Sequence, residues 1–362
     1  MAVITHASAF LADIAVETLR TDAMQSFIKQ ETLFVDVETD DGVAGRGYSY
    51  TIGTGGRASL AMLNEHFVPL LVGEDSRDIE RLWRKVYDSS RATSIGVLTN
   101  LALAAIDTAL WDLRGKRNNE PLWKMAGGMR QKVPVYDTEG GWLHLDTDEL
   151  AANALESKSR GMRGVKLKVG KPTASEDGER IAAVRKAVGP ILDIMVDANQ
   201  AFTSTEAIRR AALLEPSNVA WFEEPLPADD VDGHARLARS TTIPIAVGES
   251  IYSIGHFREY LQHGAAGIIQ VDVARIGGIT PWLKTAHLAE AFNIAVCPHF
   301  LMELNVSLVA AVPNGAYVEY IPQLRAVTRS TFQVEDGMAV APDTPGIGIV
   351  WNDDAIDDRR VA

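Results

Sequence analysis

Two rhythms of apolar and polar positions divide the chain. Near its start, Phe34-Val35-Asp36-Val37-Glu38-Thr39 alternates with a period of two and runs into Asp40-Asp41-Gly42, which predicts a half-buried strand and a turn. A glycine-rich stretch, 42–56, comes next. Beyond it the apolar spacing is helical over 56–71, 78–87 and 99–116, the last with Thr99 or Asn100 as its N-cap. Strands first and helices after predict an α+β unit over residues 1–125.

From Val133 onward the pattern becomes short apolar runs. They begin at Val133, Gly164, Ile191, Val219, Ile243, Gly267, Ile294 and Ala316, and most precede a helix-compatible segment such as 205–214 or 281–291. Eight strands spaced by about 25 residues predict a parallel (β/α) barrel over 126–322. Residues 323–362 are expected to return to the first unit.

Composition narrows the classes of function. Hydrophobic residues are 46% of the chain and charged ones 23%, enough for a large globular core. A formal charge of −13 leaves no basic face for phosphates and argues against nucleic acid. A local cationic site on such a protein can still bind a small anion. The single cysteine, Cys297, excludes an internal disulfide framework and fits a reducing cytoplasm. The first residues lack a basic region, Asp13 soon interrupts the apolar run, and no stretch suits a bilayer, so no membrane partner is expected.

Chemistry-bearing residues recur with the structural repeat. Lys166 and Lys168 fall in the second barrel run, Asp197 and Asn199 in the third, and Glu223 in the fourth. Glu249 ends the fifth, Asp272 the sixth, His299 the seventh and Glu319 the eighth. Asp197 to Glu223 is 26 residues, Glu223 to Glu249 is 26 again, and Asp272 to His299 is 27. Val165, Leu167 and Val169 would share one face of their strand and leave Lys166 and Lys168 on the other. Both faces of a parallel barrel strand are covered, so these lysines need partners, and the carboxylates at neighbouring strand ends can supply them. Functional groups of such barrels gather at those ends.

Three carboxylates on adjacent strands, without cysteine or histidine among them, suit a hard divalent cation, and Mg²⁺ is the natural choice. The competing reading is a purely structural ion-pair network. Of the adjacent pair Glu223 and Glu224, spacing favours Glu223 as the inward residue, with Glu224 behind it or at the surface. Lys168 suits a general base, because Lys166 and a nearby metal would lower its pKa. His299 faces it across the barrel, with Asp272 placed to orient the ring.

These residues together resemble the mandelate racemase subgroup of the enolase superfamily. The resemblance covers nearly the whole chain and rests on Lys166-x-Lys168, Asp197-x-Asn199, Glu223-Glu224-Pro225, Gly248-Glu249-Ser250, Asp272, His299 and Glu319. It implies an α/β chain, a (β/α)₇β TIM-like barrel with an α+β capping domain built from the N-terminal part and the C-terminal tail. It implies Mg²⁺ on Asp197, Glu223 and Glu249, Lys168 as one base and a His299–Asp272 dyad as the other acid/base. Lys166 and Glu319 would bind the substrate carboxylate or the enediolate oxygens. Enolase-superfamily sites remove a proton α to a carboxylate in this way.

Within the subgroup, the segment from Pro298 (PHFLMELNVSLVAA) is similar to that of galactarate/talarate dehydratases. The loop with Tyr48 and Tyr50 and the segment from Gly115 are similar to those of anhydrogalactonate cycloisomerases. The resemblance therefore implies dehydration of an aldaric or aldonic acid to a 2-keto-3-deoxy product. Racemisation, epimerisation or cycloisomerisation through the same intermediate is the alternative, and a non-catalytic sugar-acid binder a more distant one. Which of Lys168 and His299 takes the proton depends on stereochemistry at C2.

In the family, capping-domain loops close over the barrel mouth. The stretch 42–56 lacks the ending of a phosphate-binding loop, and 19–28 is its expected partner. Arg20, Asp22, Gln25, Tyr48, Tyr50, Asn199 and Met302 are candidate substrate contacts, set against ordinary surface or packing roles for each. His66, His144, His234 and His287 read as surface or core residues. Relatives assemble, so a symmetric homo-oligomer is expected.

Overall fold

The computed structural model describes residues 2–27, 29–93 and 96–361; Ile28, the last residue of the expected partner loop, lies outside them. Three antiparallel strands open the chain in the order β1 (Ile4–Ala15), β2 (Lys29–Thr39) and β3 (Ala44–Thr51). The glycine-rich stretch is therefore largely strand, paired with β2 from Ala44 opposite Glu38 to Thr51 opposite Glu31. Its glycines serve close approach. A Cβ on Gly47 would sit 2.1 Å from the Ala105 carbonyl oxygen, and one on Gly45 2.4 Å from that of Ala109.

The helix admitted by those glycines is the third of this part. α1 (Gly56–Met62) continues through a π turn (Leu63–Phe67) and a 3-10 turn (Val68–Leu70), before α2 (Ile79–Ser89) and α3 (Val97–Asn118). Gly96, not Thr99 or Asn100, occupies the N-cap of α3. Asn100 instead donates its amide to the carbonyls of Tyr252 (2.7 Å) and Arg275 (2.8 Å), which ties α3 to two barrel loops.

After the short α4 (Leu122–Met125) the chain repeats one unit seven times. In order come β4 (Lys132–Asp137), α5 (Thr147–Ser159), β5 (Gly164–Lys168), α6 (Ala174–Val188), β6 (Asp193–Asp197), α7 (Ser204–Leu214), β7 (Trp221–Glu223) and α8 (Val231–Ala238). Then follow β8 (Ile245–Val247), α9 (Ile254–Gln262), β9 (Ile268–Ile269), α10 (Ile279–Ala291), β10 (Ala295–Val296), α11 (Met302–Ala311) and β11 (Val318–Tyr320). Asp146, Thr173, Thr203, Asp230 and Ser253 cap five of these helices through their side chains and fix where each begins. β4 to β10 run parallel in sequence order and β11 pairs with β4. A parallel bridge from Val296 to Gly315 joins β10 to the segment entering β11. The result is a (β/α)₇β barrel with an α+β cap.

The last residues divide between the two layers. The hairpin β12 (Val334–Glu335) and β13 (Met338–Val340) adds antiparallel to β4. Beyond it, before and after α12 (Asp353–Asp357), the chain lies against the three-stranded sheet. Trp351 meets the rings of Phe34 and Tyr48 edge-on, and the Val361 amide donates to the Leu11 carbonyl at 2.8 Å.

Inside the barrel, Tyr136, Met195, Trp221, Ala246 and Cys297 pack as an apolar floor. The Cys297 thiol belongs to this floor, where burial pushes its pKa up to about 12. Two residues beyond Met195, Trp221 and Cys297 on their strands stand Asp197, Glu223 and His299, so the charged site lies directly above this floor.

Candidate active site at the barrel mouth

Strand parity sets which side chains meet. Trp221 is part of the floor, so Glu223, two residues on, also points inward, and the Trp221 indole donates to Glu223 Oε2 at 3.1 Å. Lys166 and Lys168 follow the same rule on β5. Lys166 is 1% exposed and its Nζ lies 2.8 Å from Glu223 Oε1, 2.8 Å from Glu319 Oε1 and 3.6 Å from Asp197 Oδ2. Lys168 Nζ donates to Asp197 Oδ2 and, at 2.9 Å, to Asn199 Oδ1.

One carboxylate oxygen from each of Asp197, Glu223 and Glu249 lies within 4.8 Å of the others. That spacing and an all-oxygen donor set fit a hard divalent cation. Burial, with Asp197 close by, pushes the Glu223 carboxyl up to about 7, so a cation here would relieve crowded negative charge.

His299 stands at the other end of this trio. Its Nε2 is 3.1 Å from Glu249 Oε2 and its Nδ1 2.7 Å from Asp272 Oδ2. Burial opposes the charged ring, but Glu249 and Asp272 outweigh it and raise the His299 pKa. Asp272 is held in turn by the backbone N–H groups of Ala274 (2.8 Å) and Arg275 (2.9 Å) on Oδ1 and by the Tyr50 hydroxyl on Oδ2 (2.6 Å). Burial favours its neutral form, yet the hydrogen bond from His299 and the charges around it keep the Asp272 pKa low.

Three of these residues have partners that the sequence did not show. Burial disfavours the Lys168 charge, but Asp197, which accepts directly from Nζ, prevails and raises its pKa; a cation held by Asp197 would withdraw that support and leave the lowering influence of Lys166. Weighing only Lys166 and a cation left Asp197 out. Glu319 accepts from Lys166, from Thr138 Oγ1 at 2.7 Å and from the Phe300 amide at 2.9 Å. Despite burial, these neighbours, Lys166 first, bring its pKa down to about 2. Glu319 lines the cavity beside Lys166 and also holds that ammonium in place. Of the two places expected for Glu224, the structure gives the one behind the site: it is buried, with Oε2 accepting from Gln200 at 3.1 Å.

The candidate substrate contacts separate into two groups. Asp22, Gln25, Tyr50 and Asn199 line the cavity above the carboxylates. Tyr50 commits its hydroxyl to Asp272 and stacks its ring on Phe300, centroids 4.3 Å apart. Tyr48, on the same face of β3 but farther back, packs on Trp351 instead and does not reach the cavity. Met302 turns into an apolar cluster with Trp123, Val306 and Val318. Arg20 is spent on Glu139 and, at 2.8 Å, on the Pro322 carbonyl, and it borders a separate cavity of ≈ 230 Å³. That larger cavity holds none of the barrel-end charges.

Residues not anticipated complete the site. Arg275 reaches both the carbonyl (3.1 Å) and Oε1 (3.3 Å) of Glu249, and its place three residues past Asp272 was the signal available. Trp142 faces Lys168, whose Nζ lies 5.7 Å from its ring centroid. Gln270 donates to Glu223 Oε2 at 2.7 Å. Phe27, Ile52, Phe300 and Ile321 form apolar walls. Free space inside is ≈ 30 Å³, with Asp22, Gln25 and Phe27 of the capping segment among its walls.

Comparison with known proteins follows the same division of the chain. Residues 12–127 match the mandelate racemase / muconate lactonizing enzyme N-terminal domain, and residues 149–355 match the enolase C-terminal domain-like family. An L-talarate/galactarate dehydratase of Salmonella typhimurium is 36% identical over 323 residues, 89% of this chain and 81% of that protein. A 3,6-anhydro-alpha-L-galactonate cycloisomerase of Streptomyces coelicolor is 37% identical over 329 residues, 91% of this chain and 90% of that one. The crystal structure of the Salmonella dehydratase liganded with Mg and L-lyxarohydroxamate superposes with a TM-score of 0.95 at 33% identity, covering 99% of this chain and 93% of that one. Among the described residues no helix is long and apolar enough to cross a membrane.

Proposed function

Since this chain belongs to the mandelate racemase / muconate lactonizing enzyme family of the enolase superfamily, we propose that it dehydrates an acid sugar, aldaric or aldonic, to a 2-keto-3-deoxy acid. The observation that carries this reading is the pair of proton carriers at the two ends of one carboxylate trio, Lys168 beside Asp197 and His299 beside Glu249.

Asp197, Glu223 and Glu249 would hold Mg²⁺, which the solved relative's structure contains. When bound, the cation supplies positive charge to the oxygens of the substrate carboxylate. Lys166, held by Glu223 and Glu319, adds a second positive charge at the floor. Lys168 or His299 takes the C2 proton, and the C2–H electron pair passes into the carboxylate to give an enediolate. Collapse of that pair breaks the C3–O bond, and the leaving hydroxyl takes a proton from His299 and departs as water. The enol left behind tautomerises to the 2-keto acid. Asp272 fixes the His299 ring so that Nε2 faces the reaction.

Buried free Cys297 suits the reducing cytoplasm, which we propose as the compartment. A small carboxylate is the proposed ligand and a symmetric homo-oligomer the proposed assembly. The reaction is tested by proton NMR in D₂O with Mg²⁺ and a library of sugar acids. Loss of water with a 2-keto product is expected, and Lys168→Ala should abolish or strongly reduce turnover. Deuterium uptake without water loss would favour a racemase or epimerase. A ring-opened or ring-closed isomer would point to the cycloisomerase chemistry of the Streptomyces relative. Full turnover in Lys168→Ala would relocate the site, and no turnover of any sugar acid by the wild type would leave a binding protein.

A further inference from the structure

Building on the acid-sugar reading, we infer that Asn100, in the capping domain and away from the cavity walls, is a positioning residue for this site: it sets the loop that carries Glu249 against the loop that carries Asp272. The Asn100 side chain is buried, with the residue 1% exposed. Its amide nitrogen donates to two barrel carbonyls, that of Tyr252 at 2.7 Å and that of Arg275 at 2.8 Å. Two carbonyls facing one side chain fix which way the amide points, since its oxygen has nothing to donate. Tyr252 stands three residues beyond Glu249, and Arg275 three beyond Asp272. One amide group from α3 therefore grips two neighbouring barrel loops at the same distance past their carboxylates.

The grip reaches the functional groups through Arg275. The residue whose carbonyl Asn100 holds donates its own backbone N–H to Asp272 Oδ1 at 2.9 Å. Its guanidinium reaches the Glu249 carbonyl at 3.1 Å and Glu249 Oε1 at 3.3 Å. Arg275 thus touches both a member of the carboxylate trio and the partner of His299, and Asn100 fixes the backbone from which it does so. Two other cap residues hold the second loop farther on. The Trp83 indole donates to the Gly277 carbonyl at 2.8 Å, and Asp107 accepts from the Thr280 amide at 2.8 Å. Of these three, Asn100 is the one whose hydrogen bonds span both loops. Removing its donors strips two barrel carbonyls of that partner and frees the loops to shift. A shift of about 1 Å at a reacting group can cost about a hundredfold in rate.

The test compares the full wild-type chain with Asn100→Ala, Asn100→Leu and Trp83→Phe. Calorimetric titration with Mg²⁺ alone should show at least about fivefold weaker binding to Asn100→Ala, as loss of a support behind a metal ligand does. At saturating Mg²⁺, with a sugar acid that the wild type dehydrates, kcat should fall at least about tenfold. KM should stay within about threefold, because Lys166 and Lys168 keep their own partners. Asn100→Leu refills the volume without the donors and should match Asn100→Ala; it also carries the test if Asn100→Ala does not fold. Trp83→Phe, which releases the second loop alone, should keep Mg²⁺ affinity within about twofold. Wild-type Mg²⁺ affinity and kcat in Asn100→Leu would reduce Asn100 to packing and overturn the inference. Equal loss of Mg²⁺ affinity in Trp83→Phe would overturn it too, by making the effect one of cap docking at large. If the wild type turns over no sugar acid, the acid-sugar reading falls, and Mg²⁺ affinity in the Asn100 variants still decides the positioning role.

Discussion

The Tyr50 hydroxyl donates to Asp272 Oδ2 at 2.6 Å, the same oxygen that receives His299 Nδ1 at 2.7 Å. A strand of the capping sheet thereby reaches into the barrel and helps hold its acid/base dyad. Tyr50→Phe removes one charge-assisted hydrogen bond, of order 1.5–3 kcal/mol, while keeping the ring on Phe300. We expect kcat to fall roughly ten- to a hundredfold, with KM nearly unchanged because Lys166 and the carboxylate trio are untouched. Steady-state kinetics on folded Tyr50→Phe decide this, and wild-type kcat would confine Tyr50 to packing.

Metal dependence follows from the trio of Asp197, Glu223 and Glu249. Treatment with EDTA is expected to abolish turnover and added Mg²⁺ to restore it. Calorimetric titration should show Mg²⁺ binding to the wild type and at least about tenfold weaker binding to Asp197→Asn, since one of three charged oxygen ligands is lost. Mg²⁺ affinity identical in the two proteins would mean that the cation binds elsewhere.

Met302 follows His299 closely in sequence but packs away from the cavity, against Trp123 and Val306. Met302→Leu should therefore leave kcat and KM within about twofold and cost less than about 1.5 kcal/mol of stability, as volume-conserving core swaps do. A large KM change measured against the preferred sugar acid would place Met302 in the substrate's path after all.

His234 supplies a pH test independent of catalysis. Its ring is buried, Nδ1 lies 2.8 Å from the Asp230 carbonyl oxygen, and Nε2 has no partner. Burial lowers its pKa in the folded state. The unfolded chain therefore takes up a proton before the folded one does as pH falls. Stability from this residue is present above the unfolded value of about 6.5 and is lost below it, with a limiting slope of about 1.4 kcal/mol per pH unit. Urea unfolding from pH 7.5 down to 5.5 should be steeper in pH for the wild type than for His234→Phe. Parallel profiles would count against a buried neutral ring.

How far the sequence could be read varies from residue to residue. The recurrence of Asp197, Glu223, Glu249, Asp272 and His299 at strand ends was visible because a barrel repeats its strand–helix unit in sequence as well as in space. The strand inside the glycine-rich stretch was not, because Gly45 and Gly47 read as turn residues until α3 is known to press on them. β1 gave no sign, since both of its faces carry mixed side chains and its burial does not alternate cleanly. Tyr48 and Tyr50 share a parity, but only distance along β3 separates the one under Trp351 from the one over Asp272.

The order of residues alone determined that acids and bases would converge at one end of a parallel barrel, because strand period and repeat length leave them few other places. Which charge partners which was settled only by tertiary structure. Lys168 answers to Asp197, Glu319 to Lys166 and Arg275 to Glu249. Charge pairing inside a protein depends on separations of a few ångströms between chain segments far apart in sequence, and no local pattern encodes those separations.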